Sequence, residues 1–121
     1  HNARHIILLA RTPEGLKNLY KLVSFGHTEY FRGVPRIPRT MLMSLRDGII
    51  VGSACEAGEL FRAVLEGKDD DEIERIARFY DYLEVQPIGN NDFLRREGKV
   101  DGIEGLRALN RTAFSIFVYI C

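Results

Sequence analysis

One cysteine in this chain stands where a side chain could do chemistry. The stretch Gly48-Ile-Ile-Val-Gly-Ser-Ala-Cys-Glu-Ala-Gly-Glu-Leu60 joins an apolar run to a turn of small residues that ends at Cys55, and a helical pattern follows directly. Enzymes with α/β folds commonly present reactive side chains at the C-terminal ends of strands. A thiolate at this position could be a metal ligand or a nucleophile. The alternative is a small buried apolar side chain, the commonest state of a free cysteine.

A histidine near the start of the chain is the second candidate ligand. His5 directly precedes the apolar run Ile6–Ala10, and its imidazole could bind a metal or serve as an ordinary hydrogen-bonded side chain. A metal shared with Cys55 requires the fold to bring two distant segments together. Two ligands are also too few for a tight site, so further ligands would have to lie elsewhere.

The third candidate site is a basic segment with aromatic neighbours. The segment runs His27-Thr-Glu-Tyr-Phe-Arg-Gly-Val-Pro-Arg-Ile-Pro-Arg39 and contains Arg32, Arg36 and Arg39. Arginines beside aromatic rings can hold phosphates and stack on bases, which gives a weak prediction of nucleic-acid binding. The alternative is a surface loop fixed by its prolines, with solvated arginines.

Acidic residues give weaker signals. Glu84 falls on a predicted strand and could be a base or a ligand, whereas Asp69-Asp70-Asp71 precedes a helical pattern and is better explained by helix capping. The sequence contains no Gly-rich phosphate loop, no Ser-His-Asp order and no paired aspartates typical of a polymerase palm.

Short strands are expected to position these side chains. The apolar run Ile6–Ala10 predicts a buried parallel strand, and similar patterns predict strands over residues 49–52 and 82–86. The C-terminal run 113–121 is rich in β-branched and aromatic residues and is also strand-like.

Helical patterns alternate with these strands. Thr12-Pro13 is a helix-start signal, and Gly26 is a plausible stop. The buried face of this first helix is predicted to carry Leu16, Leu19, Tyr20 and Val23. Further helices are predicted over residues 40–45, over 57–66, after Asp69 and around Leu106, with a polar loop at 88–98. This alternation favours an α/β fold with a parallel sheet or part of a barrel.

Composition limits the function classes. The 121 residues suit one domain, and 17 basic against 17 acidic side chains exclude a global basic field for nucleic acid. Two cysteines without a pairing pattern favour the reducing cytoplasm, and the longest apolar run is too short to cross a bilayer. Because the chain begins with His1 instead of methionine, we expect either a piece of a longer protein or a processed chain.

Several segments together are similar to a known family. They are His5-Ile-Ile-Leu-Leu-Ala10, Gly15-Leu-Lys-Asn-Leu-Tyr-Lys-Leu-Val-Ser24, Tyr30-Phe31 with Pro35-Arg-Ile-Pro-Arg39, Asp47 to Leu60, and Phe79-Tyr-Asp-Tyr-Leu-Glu-Val-Gln-Pro87. In this order they resemble the PHP (polymerase and histidinol phosphatase) domain of bacterial DNA polymerase III alpha subunits, in particular the PolC type.

The resemblance implies a fold and a site. The family has a distorted seven-stranded (β/α)7 TIM-like barrel with metal ions held at the strand ends, and this chain would form an incomplete part of it. By matching motifs, His5 and Cys55 correspond to metal ligands of the family, and the metal would be zinc, manganese or a similar divalent ion. No ligand role is carried onto Glu84. Residues 1–111 would be the central part of the domain, and residues 112–121 do not resemble the family.

The resemblance also implies a function. The chain would be a fragment of a replicative DNA-directed DNA polymerase, a cytoplasmic nucleotidyltransferase that uses magnesium and binds DNA and other replisome subunits. The isolated fragment is predicted to be inactive and to self-associate through exposed strand edges. Two alternatives stay open: a fragment of a free-standing PHP phosphoesterase, and a non-catalytic module that binds nucleic acid or protein.

Overall fold

The chain divides into two compact units. The computed structural model describes residues 3–120, with side chains as far as residue 115. The first unit contains Ile7–Val51 together with Ala3, and the second contains Arg4–Ile6 and the chain from Gly52 onward. Helices and strands both occur, in agreement with the expected mixed α/β composition.

The strands of the first unit form a two-stranded pair. Strand β1 (Ile7–Ala10) lies beside β2 (Ile49–Gly52), whose last residue already belongs to the second unit. The Arg11 N–H donates to the Gly48 carbonyl at 2.7 Å. Arg11 is the residue after β1, and Gly48 is the residue before β2. The end of β1 therefore lies beside the start of β2, and the two strands are antiparallel. The prediction of a parallel strand was wrong.

The burial predicted for β1 was also wrong. Ile7 and Leu9 remain 37% and 48% exposed, whereas Ile49 and Val51 of β2 are buried. In the part of the chain that the structure describes, β1 pairs with β2 alone, and an apolar run cannot by itself show how many neighbours a strand will have.

Helix α1 (Pro13–Thr28) begins as the sequence predicts. Thr12 is the N-cap, its hydroxyl accepts the Gly15 N–H at 3.0 Å, and Pro13 occupies the first turn. The helix continues two residues beyond Gly26, which was the predicted stop.

The buried face of α1 differs from the predicted one. Its buried residues are Gly15, Asn18, Leu22 and Gly26, whereas Leu16, Tyr20 and Val23 are exposed. Two glycines on the buried face allow close approach, because a Cβ on Gly15 would collide with the Gly48 backbone. The Asn18 side chain donates to the Asp47 carbonyl at 3.0 Å. Close backbone packing and this hydrogen bond have overridden the hydrophobic pattern.

A short helix of the first unit, α2 (Arg39–Ser44), begins and ends one residue earlier than predicted. The basic segment precedes it without regular structure through residues 29–38, as the prolines and glycine predict.

The second unit contains four α-helices among its described residues. They are α3 (Glu59–Leu65), α4 (Asp70–Ala77), α5 (Asp92–Arg96) and α6 (Gly102–Ile120). Apolar residues of α3 and α4, among them Leu60, Phe61 and Ile73, are buried, and the Asp69 carboxylate caps α4 by accepting the Glu72 N–H at 2.8 Å. One core cluster contains Leu60, Ala63, Val64, Ile73, Ile76, Ala77 and Ala113, and another contains Phe61, Leu94 and Leu106.

Two predictions for this unit were wrong. The strand predicted at residues 82–86 is reduced to a single parallel bridge between Tyr82 and Gly52. The predicted C-terminal strand is helical, because α6 runs to Ile120 without a break. Leu106, Leu109 and Ala113 fall at i, i+3 and i+7 and so share the inner helix face. Cys121 lies outside the described residues.

The segment predicted as a polar loop contains a 3₁₀ turn (Ile88–Asn91) and helix α5. None of the helices in the described part of the chain is long and apolar enough to cross a membrane.

Candidate metal centre

The loop after β2 carries Cys55 in an unusual backbone conformation. Ala54, the preceding residue, has a φ of 60°, which places it in the left-handed region that residues with a Cβ rarely adopt. Such a residue persists only where its surroundings hold it. The direction of Cys55 therefore depends on contacts made by the neighbouring residues.

Ser53 makes two of those contacts. Its N–H donates to the Tyr82 carbonyl at 3.2 Å, and its hydroxyl oxygen accepts the Glu84 N–H at 2.8 Å. The side chain is 4% exposed. Ser53 therefore links the Cys55 loop to the segment 82–84 through both its backbone and its side chain.

Gly58 closes the loop on the other side. Its N–H donates to the Cys55 carbonyl at 2.9 Å, and a Cβ here would collide with the carbonyls of Ser53 and Cys55. Gly58 also forms a parallel bridge with His5, whose N–H donates to the Ala57 carbonyl at 3.1 Å. The glycine thus allows the turn to be tight and places the His5 segment beside it.

These contacts bring the two predicted ligands together. The Nδ1 atom of His5 and the Sγ atom of Cys55 are 3.5 Å apart, and the Cys55 side chain is half-buried while His5 is exposed. Either ring tautomer is compatible with this contact. The two residues are 50 positions apart in the chain and lie side by side in the structure.

The separation of the two atoms fits a shared metal. Two ligands of one tetrahedral zinc, at about 2.3 Å for sulfur and about 2.0 Å for nitrogen, lie about 3.5 Å apart. Neutral imidazole and thiolate are also the donors that zinc prefers. Among the residues that the structure describes, no group of three or more His, Cys, Asp or Glu side chains could hold a metal. Whether this pair binds a metal therefore stays a prediction.

The other candidate residues make contacts of their own. Arg32, Arg36 and Arg39 belong to the first unit, and Cys55 and His5 to the second. Arg32 is exposed and donates to the Phe31 carbonyl at 2.7 Å, Arg36 is half-buried, and Arg39 begins α2. Glu84 contributes its backbone N–H to the Cys55 loop.

Sequence reasoning missed three residues that shape the site: Ser53, Ala54 and Gly58. Their signal was the run of small residues between β2 and α3, which predicted a turn and nothing about its contacts. Ser53 in particular is bonded to a residue of a segment that was predicted to be a strand.

Comparison with known proteins identifies the family of this chain. A family model described as "PHP domain" matches residues 1–87. The chain belongs to the PHP domain family. Because the match includes His5 and the whole loop from Ser53 to Gly58, the paired side chains lie within the PHP region itself.

Relatives of this PHP chain carry one name. The chain is 56% identical over 112 residues, 93% of its length, to "DNA polymerase III PolC-type" of Clostridium perfringens. It is 44% identical over 112 residues to the protein of that name from Caldanaerobacter subterraneus, and 52% identical over 105 residues to that from Halalkalibacterium halodurans. The chain spans only 8%, 8% and 7% of these three proteins.

Proposed function

We propose that this chain is part of the PHP domain of a PolC-type DNA polymerase, a bacterial replicative nucleotidyltransferase of the cytoplasm. The observation that carries the proposal is the 56% identity over 93% of the chain to a protein of that name. The parent protein would add nucleotides to a DNA 3′ end with magnesium, on DNA and among other replisome subunits. The free-standing phosphoesterase is less well supported, because the relatives compared above are all named as polymerases.

The architecture supports a place in a larger sheet. In the second unit, His5 and Gly58 form one parallel bridge, and Gly52 and Tyr82 form another. Parallel pairing between chain segments is the pairing found in (β/α) barrels. We propose that these segments belong to the distorted (β/α)7 barrel of the family and that residues 1–111 are its central part, with 112–121 as an atypical tail.

The site supports a divalent metal. His5 Nδ1 and Cys55 Sγ would each donate one bond, and the soft thiolate favours zinc, with manganese as the alternative. The bound ion would supply Lewis-acid polarisation of a phosphoester. The part of this chain is to hold the thiolate through the Cys55 loop and to present the imidazole from the edge beside Gly58.

The isolated chain is proposed to lack polymerase activity. Magnesium-dependent nucleotide transfer requires paired carboxylates that hold the ions, and the sequence contains no such pair. The exposed β1 residues Ile7 and Leu9 support self-association of the isolated chain through that strand.

Metal content tests the site. Because two protein donors bind an ion only weakly, the chain is equilibrated with an excess of zinc or manganese, and the metal bound per chain is measured for the natural sequence, Cys55→Ala and His5→Ala. Cys121→Ala serves as the matched control, because it removes the other thiol. We expect metal in the natural chain and in the control, and its loss in the two site variants. Equal metal in all four chains would rule out this pair as ligands.

A chimera tests the parent activity. Residues of this chain replace the matching 112 residues of the Clostridium perfringens polymerase, and primer extension is measured. We expect extension close to that of the unaltered polymerase. A chimera that folds but does not extend a primer would argue against a PolC-type parent.

The basic segment gives a second candidate function. Phe31 is 45% exposed, and Arg32 and Arg39 are exposed in the same region of the chain. An exposed ring with neighbouring guanidinium groups can stack on a base and hold a phosphate. A nucleic-acid-binding role of Arg32, Arg36 and Arg39 is therefore kept as a proposal beside the first.

A further inference from the structure

We propose that Ser53 is a positioning residue that aims the Cys55 thiol at His5, and this inference rests on the metal site proposed above. In this proposal Ser53 does not bind the metal. It acts through Ala54 and Cys55, by fixing the point at which the chain leaves β2.

The first step concerns the strained residue. Ala54 at a φ of 60° would relax toward a right-handed or extended conformation if nothing opposed it, because a Cβ makes the left-handed region costly. A rotation at Ala54 would swing Cys55, the next residue, away from its 3.5 Å contact with His5. The position of the thiol therefore depends on the contacts that hold the residues on either side of Ala54.

The second step identifies the anchor on the upstream side. The Ser53 side chain is 4% exposed, and its hydroxyl oxygen accepts the Glu84 N–H at 2.8 Å. The segment after Tyr82 has left ladder pairing, so a side-chain hydroxyl accepts a backbone N–H here. Removal of this oxygen would leave a part-buried N–H without its acceptor, which is costly.

The third step separates Ser53 from the downstream anchor. The downstream anchor is Gly58, whose N–H donates to the Cys55 carbonyl at 2.9 Å and so acts on the chain after Ala54. The two anchors therefore differ in role: Gly58 closes the turn, and Ser53 sets the direction from which the turn begins. Changes of groups that support metal ligands typically lower metal affinity about 10- to 100-fold.

Cobalt(II) binding tests the proposal. Cobalt replaces zinc at thiolate sites and gives a sulfur-to-metal absorption band, so the titration reports both affinity and the thiolate bond. All chains carry Cys121→Ala, so that Cys55 is the single thiol. We expect Ser53→Ala to weaken cobalt binding about tenfold and to reduce the band. Unchanged affinity and band in Ser53→Ala would overturn the proposal.

Three further variants isolate the hydroxyl. Glu84→Ala keeps the backbone N–H and removes the carboxylate, Ser115→Ala removes an exposed hydroxyl on α6, and Ser53→Thr keeps the hydroxyl. We expect all three to keep the original affinity. Far-UV circular dichroism without metal shows which chains are folded. If Ser53→Ala is unfolded, the decision rests on Ser53→Thr: original affinity supports the proposal, and a tenfold loss in the folded chain overturns it.

A metal-free measurement separates this proposal from the proposed function. Alkylation of Cys55 by iodoacetamide is timed at one pH, with and without His5→Ala. The His5 ring lies 3.5 Å from the thiol and limits the access of the reagent, so His5→Ala should speed the reaction when Ser53 is present. The His5 effect should disappear in the folded Ser53→Ala background. No cobalt binding by any chain would refute metal binding by this isolated chain, whereas an undiminished His5 effect without the Ser53 hydroxyl would refute the positioning role.

Discussion

The phenol ring of Tyr82 lies directly against the backbone of Gly52, at a position where any side chain would collide with the ring. The two residues also form a parallel bridge, and the Ser53 N–H donates to the Tyr82 carbonyl at 3.2 Å. The glycine at the end of β2 is thus required by close approach of a side chain. Its consequence is that the segment carrying Glu84 lies beside the start of the Cys55 loop.

This contact makes Gly52→Ala a destabilising change. The added methyl group would overlap the Tyr82 ring, and overpacking of this kind typically costs about 1–3 kcal/mol of unfolding free energy. Gly89→Ala is the matched control, because no atom lies within 4 Å of the Cβ that it would add. Urea unfolding should show a lower midpoint for Gly52→Ala and almost none of this change for Gly89→Ala. Equal midpoints in the two variants would contradict the contact.

Gly58→Ala should weaken metal binding by the proposed site. A methyl group at Gly58 would meet the carbonyls of Ser53 and Cys55, so the turn that carries the thiol must open. Gly105→Ala, in α6, meets only ordinary contacts and should stabilise the helix by about 0.5–1 kcal/mol. Cobalt titration should give a lower affinity for Gly58→Ala and an unchanged affinity for Gly105→Ala. Full affinity in Gly58→Ala would show that the turn tolerates opening.

The conformation of Ala54 predicts an unusual response to glycine. Ala54→Gly removes the left-handed penalty of about 1 kcal/mol and adds freedom to the unfolded chain worth about 0.4–1 kcal/mol, so the two terms nearly cancel. Ala77→Gly, in helix α4, has only the unfavourable terms and should lose about 1 kcal/mol or more. Thermal unfolding distinguishes the two. A loss in Ala54→Gly as large as that in Ala77→Gly would argue against a strained Ala54.

The basic segment predicts salt-sensitive DNA binding. If Arg36 and Arg39 hold phosphates, the double change Arg36→Ala with Arg39→Ala should abolish binding to single-stranded DNA in the absence of metal. Fluorescence anisotropy at several salt concentrations measures the affinity and its salt dependence. Arg107→Ala, in α6, is the control for loss of charge. Binding that survives the double change would remove the segment as a nucleic-acid site.

One pH response follows from helix α5. The Arg95 guanidinium donates to the Asp92 carboxylate at 2.9 Å, and this hydrogen bond lowers the pKa of Asp92, with a further contribution from the charges of Arg95 and Arg96. A lowered folded pKa means that the carboxylate stabilises the fold above its ordinary pKa and loses this contribution as the pH falls through the folded pKa.

Nuclear magnetic resonance titration of the Asp92 carboxyl tests this direction. Arg95→Gln should raise the pKa of Asp92 toward its ordinary value, and Arg107→Gln, whose partner is Glu104, should leave it where it is. An Asp92 pKa that is the same with and without Arg95 would exclude the hydrogen bond as the cause.

The starts of α1 and α4 were predictable from sequence because their signals are local, whereas α5 and the last part of α6 were not predicted as helix. Thr12 and Asp69 cap the helices that they were expected to begin, and Leu60, Phe61 and Ile73 are buried as their spacing requires. The strands were predicted less well, since strand pairing is decided by neighbours far along the chain. An apolar run such as that of β1 predicts a strand without predicting the direction or the burial of that strand.

The two candidate ligands were predictable from the sequence, whereas the contacts that hold them in place were not. His5 and Cys55 were identified by resemblance to a family, and the structure places their donor atoms 3.5 Å apart. Whether they bind a metal stays a prediction. The bond between Ser53 and Glu84 joins residues 31 positions apart through a side chain, and no local pattern encodes such a pairing.

The division of the chain bears on the order of folding. The second unit contains Arg4–Ile6, and the chain then forms Ile7–Val51 of the first unit before it returns to the second unit at Gly52. Joining His5 to Cys55 in an otherwise unfolded chain would require closure of a loop that costs about 3 kcal/mol in entropy. Antiparallel pairing of β1 with β2 brings the two ends of that loop together beforehand. Early pairing of β1 with β2 should therefore speed the approach of His5 to Cys55 during folding.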